Sequence, residues 1–183
     1  MYIDLTLKVT PKMISDAQGN EKKAFTGHLG THFDVMNKEF PLEFVSRSAY
    51  IFDVSQTLTD VIHITDIDIN KVKENMFIGF YTGFSEKVEY GSRLYFSEHP
   101  QLSFELINEL LNRNVSIIGI DCAGIRRGFE HTPIDQKCAD HGCFVVENLV
   151  HLKDVCHKEV VINTYPMNFT GMSGLPCRVV AML

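Results

Sequence analysis

The sequence predicts a mixed α/β (α+β) domain with a β-dominated core on which a few helices pack. Three observations predict it. Short segments dense in β-branched and aromatic residues recur along the chain, Gly, Pro, Asn or Asp bounds them, and one segment has a clear helical period. No internal repeat and no linker rich in Pro, Gly or Ser divides the chain, so we expect one domain over residues 1–183.

Six segments are predicted to be strands because of this composition and spacing. They are AYIFDVS (49–55), MFIGFYTGF (76–84), SIIGID (116–121), CFVVENL (143–149), EVVINT (159–164) and CRVVAML (177–183). The apolar run in SIIGID is typical of a strand that is buried on both faces.

The clearest helix lies in LSFELINELLNRN, where apolar residues recur at three- and four-residue spacing from 102 to 111. Ser103 is suited to accept hydrogen bonds from the first-turn amides as the N-cap, and Asn114 suits the end of the helix. A second, weaker helix is predicted near DINKVKE (68–74). Strands therefore outnumber helices, which is why the predicted core is β-dominated.

Composition and charge exclude several classes of protein. The chain has 17 basic and 23 acidic side chains, a formal net charge of -6, and no basic run that could form a face for nucleic acid. No apolar stretch approaches the roughly 20 residues that span a bilayer. The first residues, MYIDLTLKVT, lack the basic start and apolar centre of a signal peptide. We therefore expect a cytoplasmic protein that binds a small-molecule substrate rather than nucleic acid or a membrane.

The cysteines predict no metal or disulfide framework. They are odd in number and contain no C-x-x-C pair, which matches neither a zinc knuckle nor a set of disulfides. Free thiols are usually buried, so we expect reduced and mostly packed side chains. The five are Cys122, Cys138, Cys143, Cys156 and Cys177.

Candidate metal ligands cluster in HLGTHFD, which contains His28, His32 and Asp34. On a straight strand these side chains would share one face, with the two histidine Cα atoms about 13 Å apart, near the limit for sharing one ion. A helix would turn Asp34 away. We therefore predict a bend at Gly30-Thr31 that lets all three converge on Zn²⁺, Mn²⁺ or Fe²⁺. The alternative is a hydrogen-bonded pair of His32 and Asp34 at a strand end.

HLGTHFD resembles the start of the H-x-G-T-H-x-D-x-P-x-H motif of the cyclase/kynurenine-formamidase family of metal-dependent hydrolases. Further segments resemble that family in its own order and extend the resemblance over most of the chain. They are IDLTL (3–7), FPLEFVSRSAYIFDVS (40–55), FYTGF (80–84), PQLSFELINELLNRNVSIIGID (100–121), VVENL (145–149) and YPMNFTGMSGLPCRVVAM (165–182). The resemblance implies the family's swivelling β/β/α domain, assembled as a homodimer or homotetramer.

The resemblance also implies a set of metal ligands. His28, His32 and Asp34 match the family's first metal-site ligands, and Glu147 matches a carboxylate that helps to hold a second ion in two-metal members. The other second-site ligand is a histidine twelve residues before the glutamate, which is Asp135 in this sequence. An aspartate can still ligate a hard or borderline ion, so a second metal site is weakened by this replacement rather than excluded.

The family's general acid/base is the last histidine of the motif, and this position is Lys38 here, while the motif's proline is Met36. Lysine has a reference pKa of about 10.4 and is a poor base at neutral pH. Burial and a nearby cation would both lower that pKa. Lys38 is therefore either a catalytic residue alongside Glu147 or a solvated surface lysine.

The segment GIRRGFEHTPIDQKCADHG (124–142) is predicted to be a long functional loop between two strands. Arg126 and Arg127 could clamp a substrate carboxylate, or could be solvated or pair with Glu130. His131 and His141 could replace the missing family histidine only if this loop is rebuilt.

Together these features predict a metal-dependent hydrolase of a carbonyl–nitrogen bond in an N-formyl amide, lactam or cyclic amide, with Zn²⁺ or Mn²⁺ activating water. Two alternatives remain open. A non-catalytic metal- or ligand-binding member of the family is motivated by Lys38 and Asp135. A non-haem Fe(II) oxygenase would use the H-x-D motif and a distant histidine as a facial triad, but it leaves His28 unexplained.

Overall fold

Ten strands and four helices form the regular structure of the described residues, 1–17 and 27–183, in a computed structural model. The strands are β1 (Tyr2–Asp4), β2 (His32–Asp34), β3 (Ser46–Asp53), β4 (Val61–Ile62), β5 (Phe77–Tyr81), β6 (Gln101–Leu102), β7 (Ile117–Ile120), β8 (Phe144–Glu147), β9 (Glu159–Pro166) and β10 (Gly174–Met182). The helices are α1 (Pro11–Ala17), α2 (Arg93–Ser97), α3 (Phe104–Asn112) and α4 (His131–Asp140).

Seven of the strands close into a barrel in the order β10-β2-β8-β7-β5-β3-β9, because β9 also pairs with β10. Strands β3, β5, β7 and β8 are parallel neighbours, and the remaining pairs of the barrel are antiparallel. Strand β1 extends the sheet beyond β10, and β4 pairs with β6 separately. The fold is therefore of the predicted mixed α/β class with a β core. The swivelling β/β/α arrangement remains a prediction.

The core has two apolar layers, because alternate residues of a strand point to opposite faces. Leu106 and Leu110 of α3 pack in the outer layer against strand residues such as Ile118. Phe33, Phe77 and other strand residues that face the opposite way form the second layer. Every residue of β7 is buried, as predicted for a strand covered on both faces.

All six predicted strands are present, as β3, β5, β7, β8, β9 and β10. Helix α3 is also confirmed, and its N-cap Ser103 accepts a hydrogen bond from the amide of Leu106 at 3.1 Å. The helix predicted near 68–74 is wrong. Only a 3-10 turn, Ile69–Lys71, forms there. The Asp68 carboxylate accepts a hydrogen bond from the Asn70 amide, and this local bond competes with the backbone hydrogen bonds of an α-helix.

The prediction of an unbroken loop over 124–142 is also wrong, because His131–Asp140 is helix α4. Polar and charged residues dominate this segment, so its helical period is faint in the sequence. Pro133 lies in the first turn, where its missing amide hydrogen is not needed by the helix. The buried face of α4 carries Asp135 among apolar neighbours, and this places a carboxylate against the barrel.

Four of the five cysteines are buried and Cys156 is half-buried, as predicted for packed thiols. They are free within the part of the chain that the structure describes. Among the helices of residues 1–17 and 27–183, none is both long enough and apolar enough to cross a bilayer.

Candidate metal centre

The chain bends at Gly30, as predicted, and the bend brings three candidate ligands together. Gly30 has a φ of +73°, in the left-handed region, and β2 begins two residues later. The rings of His28 and His32 lie 4.9 Å apart between centroids. The Nε2 atoms of His28 and His32 lie 3.0 and 3.7 Å from Asp34 Oδ1. All three side chains therefore face one point.

Strand pairing adds Glu147 to this group. His32 lies directly opposite Glu147 in the antiparallel β2–β8 ladder, and His32 Nε2 is 3.5 Å from Glu147 Oε2. Phe33 points the other way into the core, as strand alternation requires. Glu147 ends β8, so the group lies at the carboxyl ends of the parallel strands, where α/β sheets commonly bind ligands.

Helix α4 supplies two more side chains, His131 and Asp135, which lie one turn apart on one face. His131 Nε2 is 3.1 Å from Asp135 Oδ2 and 3.4 Å from Glu147 Oε1. Potential ligand atoms of Asp34, His131, Asp135 and Glu147 all lie within 4.8 Å of one another, as do those of His28, His32 and Asp34. Asp34 thus belongs to both groups, which we call the first group (His28, His32, Asp34) and the second group (Asp34, His131, Asp135, Glu147).

Hydrogen bonds fix which nitrogen two of the imidazoles present to the centre. His32 Nδ1 lies 2.9 Å from the Gly30 carbonyl oxygen, and His131 Nδ1 lies 3.2 Å from that of Arg126. A carbonyl oxygen only accepts, so in each neutral ring the proton is on Nδ1 and Nε2 carries a lone pair. Metal-bound histidines are commonly oriented in this way.

The three buried carboxylates keep oxygens that no hydrogen bond from the described residues satisfies. Asp34, Asp135 and Glu147 are 2–3% exposed. Asp34 Oδ2, both oxygens of Asp135 and Glu147 Oε1 have no hydrogen-bond partner within residues 1–17 and 27–183. Burial and the nearby Asp34 charge raise the pKa of Glu147 and of Asp135 well above their ordinary range. Burial lowers the pKa of His131 below its ordinary range, which favours the neutral ring.

These donors fit a divalent cation. The lone pairs of these imidazole and carboxylate groups point towards one another and repel, and a cation between them would remove the repulsion. The nitrogen–oxygen distances of 3.0–3.7 Å bracket the roughly 3.3 Å expected between two ligands of one tetrahedral Zn²⁺. Imidazole with carboxylate is also a donor set that Zn²⁺ and Mn²⁺ accept.

The centre lines a cavity of about 460 Å³, within the usual range for a small-molecule site. Met36, Phe96 and Ala123 form its apolar part, and Thr132, Asn148 and Ser173 add polar groups. Phe96 also lines a second cavity of about 560 Å³. The space beside the candidate ligands can therefore hold a small molecule with an apolar portion.

Other candidate residues lie away from the centre. Lys38 Nζ pairs with Asp140 Oδ1 at 2.7 Å and does not line the cavity, a placement that favours the surface-lysine alternative. Arg126 pairs with Glu130, as the alternative for that residue predicts. Arg127 pairs with Asp60 at 2.6 Å. His141 is exposed at the end of α4.

Two residues of this site are poorly indicated by the sequence. The sequence makes His131 a candidate only if the loop is rebuilt, and the signal that identifies it is its four-residue spacing from Asp135, which places both on one face once the segment is a helix. Asn148 is buried and lines the cavity, but its position after Glu147 is the only hint in the sequence.

Comparison with known proteins gives one family and several similar folds. A family model described as "Putative cyclase" matches residues 3–126. A protein described as a "potential metal-dependent hydrolase with cyclase activity" has a TM-score of 0.77 and 22% identity, and the alignment covers 99% of this chain and 96% of that one. A "predicted metal-dependent hydrolase" from Bacillus stearothermophilus has a TM-score of 0.75 and 21% identity, with 99% and 97% covered.

Isatin hydrolase A from Labrenzia aggregata, bound to benzyl benzoate, has a TM-score of 0.77 and 18% identity, with 100% of this chain and 93% of that one covered. At these identities the structures show a common fold. No curated protein matches the sequence.

Proposed function

The chain belongs to the Cyclase family, and from this membership and its buried centre we propose that it is a metal-dependent hydrolase of a carbonyl–nitrogen bond. One observation carries the proposal: imidazole nitrogens and buried carboxylate oxygens that lack a hydrogen-bond partner among the described residues converge at a cavity of small-molecule size. The proposed substrates are N-formyl amides, lactams and cyclic amides. Isatin is a cyclic amide, and isatin hydrolases share the fold, which supports this type of bond.

The two ligand groups suit different ions. The first group would hold one ion with two imidazoles and a carboxylate, a set that accepts Zn²⁺ or Mn²⁺. The second group has three carboxylates and one imidazole, and this harder set favours Mn²⁺. A bound ion supplies Lewis acidity to the scissile carbonyl and lowers the pKa of water.

The chain's own residues would move the proton and hold the substrate. Glu147 lies between His32 and His131 at the centre and is the carboxylate best placed to take a proton from water and return it to the leaving nitrogen. Lys38 is the other candidate, and its contact with Asp140 outside the cavity favours Glu147 for this role. Met36 and Phe96 would pack against the apolar part of the substrate and exclude water.

A second candidate is a non-catalytic metal- or ligand-binding member of the family. The observation that favours it is the position of Lys38, because the family's general acid/base is replaced by a lysine that does not reach the cavity. In that case the ion would bind and the substrates would not be cleaved.

The test begins with elemental analysis of the purified protein, followed by loading with Zn²⁺ or Mn²⁺ and a panel of N-formyl anilides, lactams and isatin. We expect ring opening or deformylation, detected by mass spectrometry, and its loss in Glu147→Gln. Stoichiometric metal without cleavage of any substrate would favour the non-catalytic alternative. Oxygen consumption by the Fe²⁺-loaded protein would favour the oxygenase alternative.

The oligomeric state is a separate proposal. Light scattering of the purified protein tests the proposed homodimer or homotetramer.

A further inference from the structure

We propose that Tyr90, Tyr95 and Asn148 form a clamp on the turn at Gly30 and act as positioning residues for His32. We call Gly30 together with Tyr90, Tyr95 and Asn148 the Gly30 clamp. The inference rests on the proposed function in one respect, which is that the oriented ring is a metal ligand.

The contacts at Gly30 carry the first step. Its carbonyl oxygen accepts from His32 Nδ1 at 2.9 Å and from Asn148 Nδ2 at 3.0 Å. Its amide donates to the Tyr90 hydroxyl oxygen at 2.9 Å. Both backbone polar atoms of Gly30 are thus held by side chains distant in sequence, and the oxygen that orients His32 is fixed by the Asn148 amide.

Asn148 is itself held in one orientation. Its Nδ2 faces a carbonyl oxygen, so its Oδ1 is the atom that accepts from the Tyr95 hydroxyl at 2.9 Å. Its backbone oxygen accepts from Thr31 Oγ1 at 2.8 Å. Tyr95 and Asn148 are 1% and 3% exposed, so solvent does not replace these bonds when one partner is lost.

The two turns in contact share a left-handed backbone conformation. Gly30 and Asn148 have φ values of +73° and +57°, both in the left-handed region, where glycine and asparagine are the usual residues. Asn148 therefore has two separable roles, because its backbone forms the turn after Glu147 and its side chain reaches Gly30. Glycine at this position would keep the first role and remove the second.

The clamp keeps the proton of His32 on Nδ1 and the lone pair of Nε2 towards Asp34 and Glu147. If the Gly30 carbonyl oxygen moves, that acceptor is lost, and the ring can exchange tautomers or rotate. The distances within the first group then change although each of its ligands is still present.

The test uses Asn148→Gly and Tyr95→Phe. The matched control is Tyr81→Phe, which removes a tyrosine hydroxyl that donates to Glu86 at 3.0 Å rather than to the clamp. The ¹⁵N chemical shifts of His32 in ion-free protein report its tautomer, and competition with a chromophoric chelator gives the Zn²⁺ affinity. Circular dichroism verifies that each variant folds.

We expect the Nδ1–H tautomer of His32 in the wild type and in Tyr81→Phe, and a mixture of tautomers in Asn148→Gly. Zn²⁺ affinity should fall roughly 10- to 100-fold in Asn148→Gly, as for other residues that orient a metal-bound histidine. It should fall about fivefold in Tyr95→Phe, the equivalent of one hydrogen bond.

A folded Asn148→Gly with the wild-type tautomer and Zn²⁺ affinity would overturn the clamp. If that variant does not fold, Tyr95→Phe decides by the same two measurements. The outcome is separable from that of the proposed function, because wild-type protein that binds Zn²⁺ and cleaves no amide would refute the hydrolase and leave the clamp intact.

Discussion

His131 and Asp135 face the same side of α4, with His131 Nε2 3.1 Å from Asp135 Oδ2. The family resemblance implies a histidine ligand at position 135, and this chain has a carboxylate there. An imidazole reaches the same centre from one helical turn earlier. The second group therefore keeps a nitrogen ligand, from His131, and gains an oxygen ligand, from Asp135. For this reason the replacement of the family's histidine by Asp135 does not by itself describe the ligands of the site.

The ligand assignment predicts a graded loss of metal. Asp34→Ala should remove all bound ion because Asp34 belongs to both groups, and His32→Ala should empty the first group. His131→Ala should lower the content to that of the first group. Elemental analysis after gel filtration measures this, with His141→Ala as the control for an exposed histidine of the same segment. Stoichiometric metal retained in Asp34→Ala would contradict the assignment.

The sequence predicts the first group well because its geometry is local. His28, His32 and Asp34 lie within seven residues, and one glycine bend decides whether they converge. The second group depends on the fold. Glu147 meets His32 through the register of β2 with β8, and His131 joins only because its segment is helical. Without a structure, the family resemblance was the main guide to Glu147.

The same distinction applies to the fold. Strands with long β-branched or aromatic runs, such as β3 and β5, are visible in the sequence. Strand β2 has three residues, two of them polar, so its intrinsic strand propensity is low. It forms a strand because it pairs with β8 and β10. Helix α2 has only five residues and lacks a repeated apolar period.

A substitution at Gly124 is expected to displace the His131 side chain while every candidate ligand is kept. A Cβ atom at Gly124 would lie 2.7 Å from the His131 ring, and its φ is +125°. Gly124→Ala should therefore displace His131 and lower Mn²⁺ affinity. The matched control is Gly128→Ala, because Gly128 also has a positive φ but a Cβ atom there would meet no atom of the described residues within 4 Å. Equal Mn²⁺ affinities in the two variants, measured by calorimetry, would show that the contact with His131 is unimportant.

Lys38 provides a test of the proton-transfer assignment. Its amine pairs with Asp140 outside the cavity, so Lys38→Met should leave kcat and metal content within about twofold of the wild type. Lys38→His tests whether an imidazole at this position can act as the family's histidine does. We expect no gain in kcat, because the side chain at position 38 points towards Asp140. A tenfold fall in kcat in Lys38→Met with unchanged metal would return a catalytic role to this lysine.

Phe96 predicts how substrate size is limited. Its side chain lines both the 460 Å³ cavity and the 560 Å³ cavity beside it, so Phe96→Ala should join them. We expect kcat/KM for a small N-formyl substrate to fall because packing is lost, and that for a bulkier N-acyl substrate to rise. The control is Leu94→Ala, which shortens an exposed side chain of the same helix. Parallel losses for both substrates in Phe96→Ala would argue against a size limit.

Asp121 predicts a pH dependence of stability away from the metal centre. Its carboxylate accepts from the amide and hydroxyl of Thr82 and from the amide of Gly83 at 2.7–2.9 Å, and burial nevertheless raises its pKa to about 6. The folded state thus binds this proton more tightly than the unfolded state, where the pKa is about 3.8. The contribution to stability is complete below about pH 3.8 and is lost as the pH rises through about 6.

The difference between pKa values of about 3.8 and about 6 corresponds to about 3 kcal/mol. Asp121→Asn cannot ionise, so the unfolding free energy of the wild type, relative to this variant, should fall by about 2.4 kcal/mol between about pH 4 and about pH 7, which is most of the full effect. Urea unfolding across that range measures the difference. Asp53→Asn is the control, because Asp53 makes similar bonds to Ser55 but is exposed. A constant difference between wild type and Asp121→Asn at every pH would show that burial of the Asp121 charge does not affect stability.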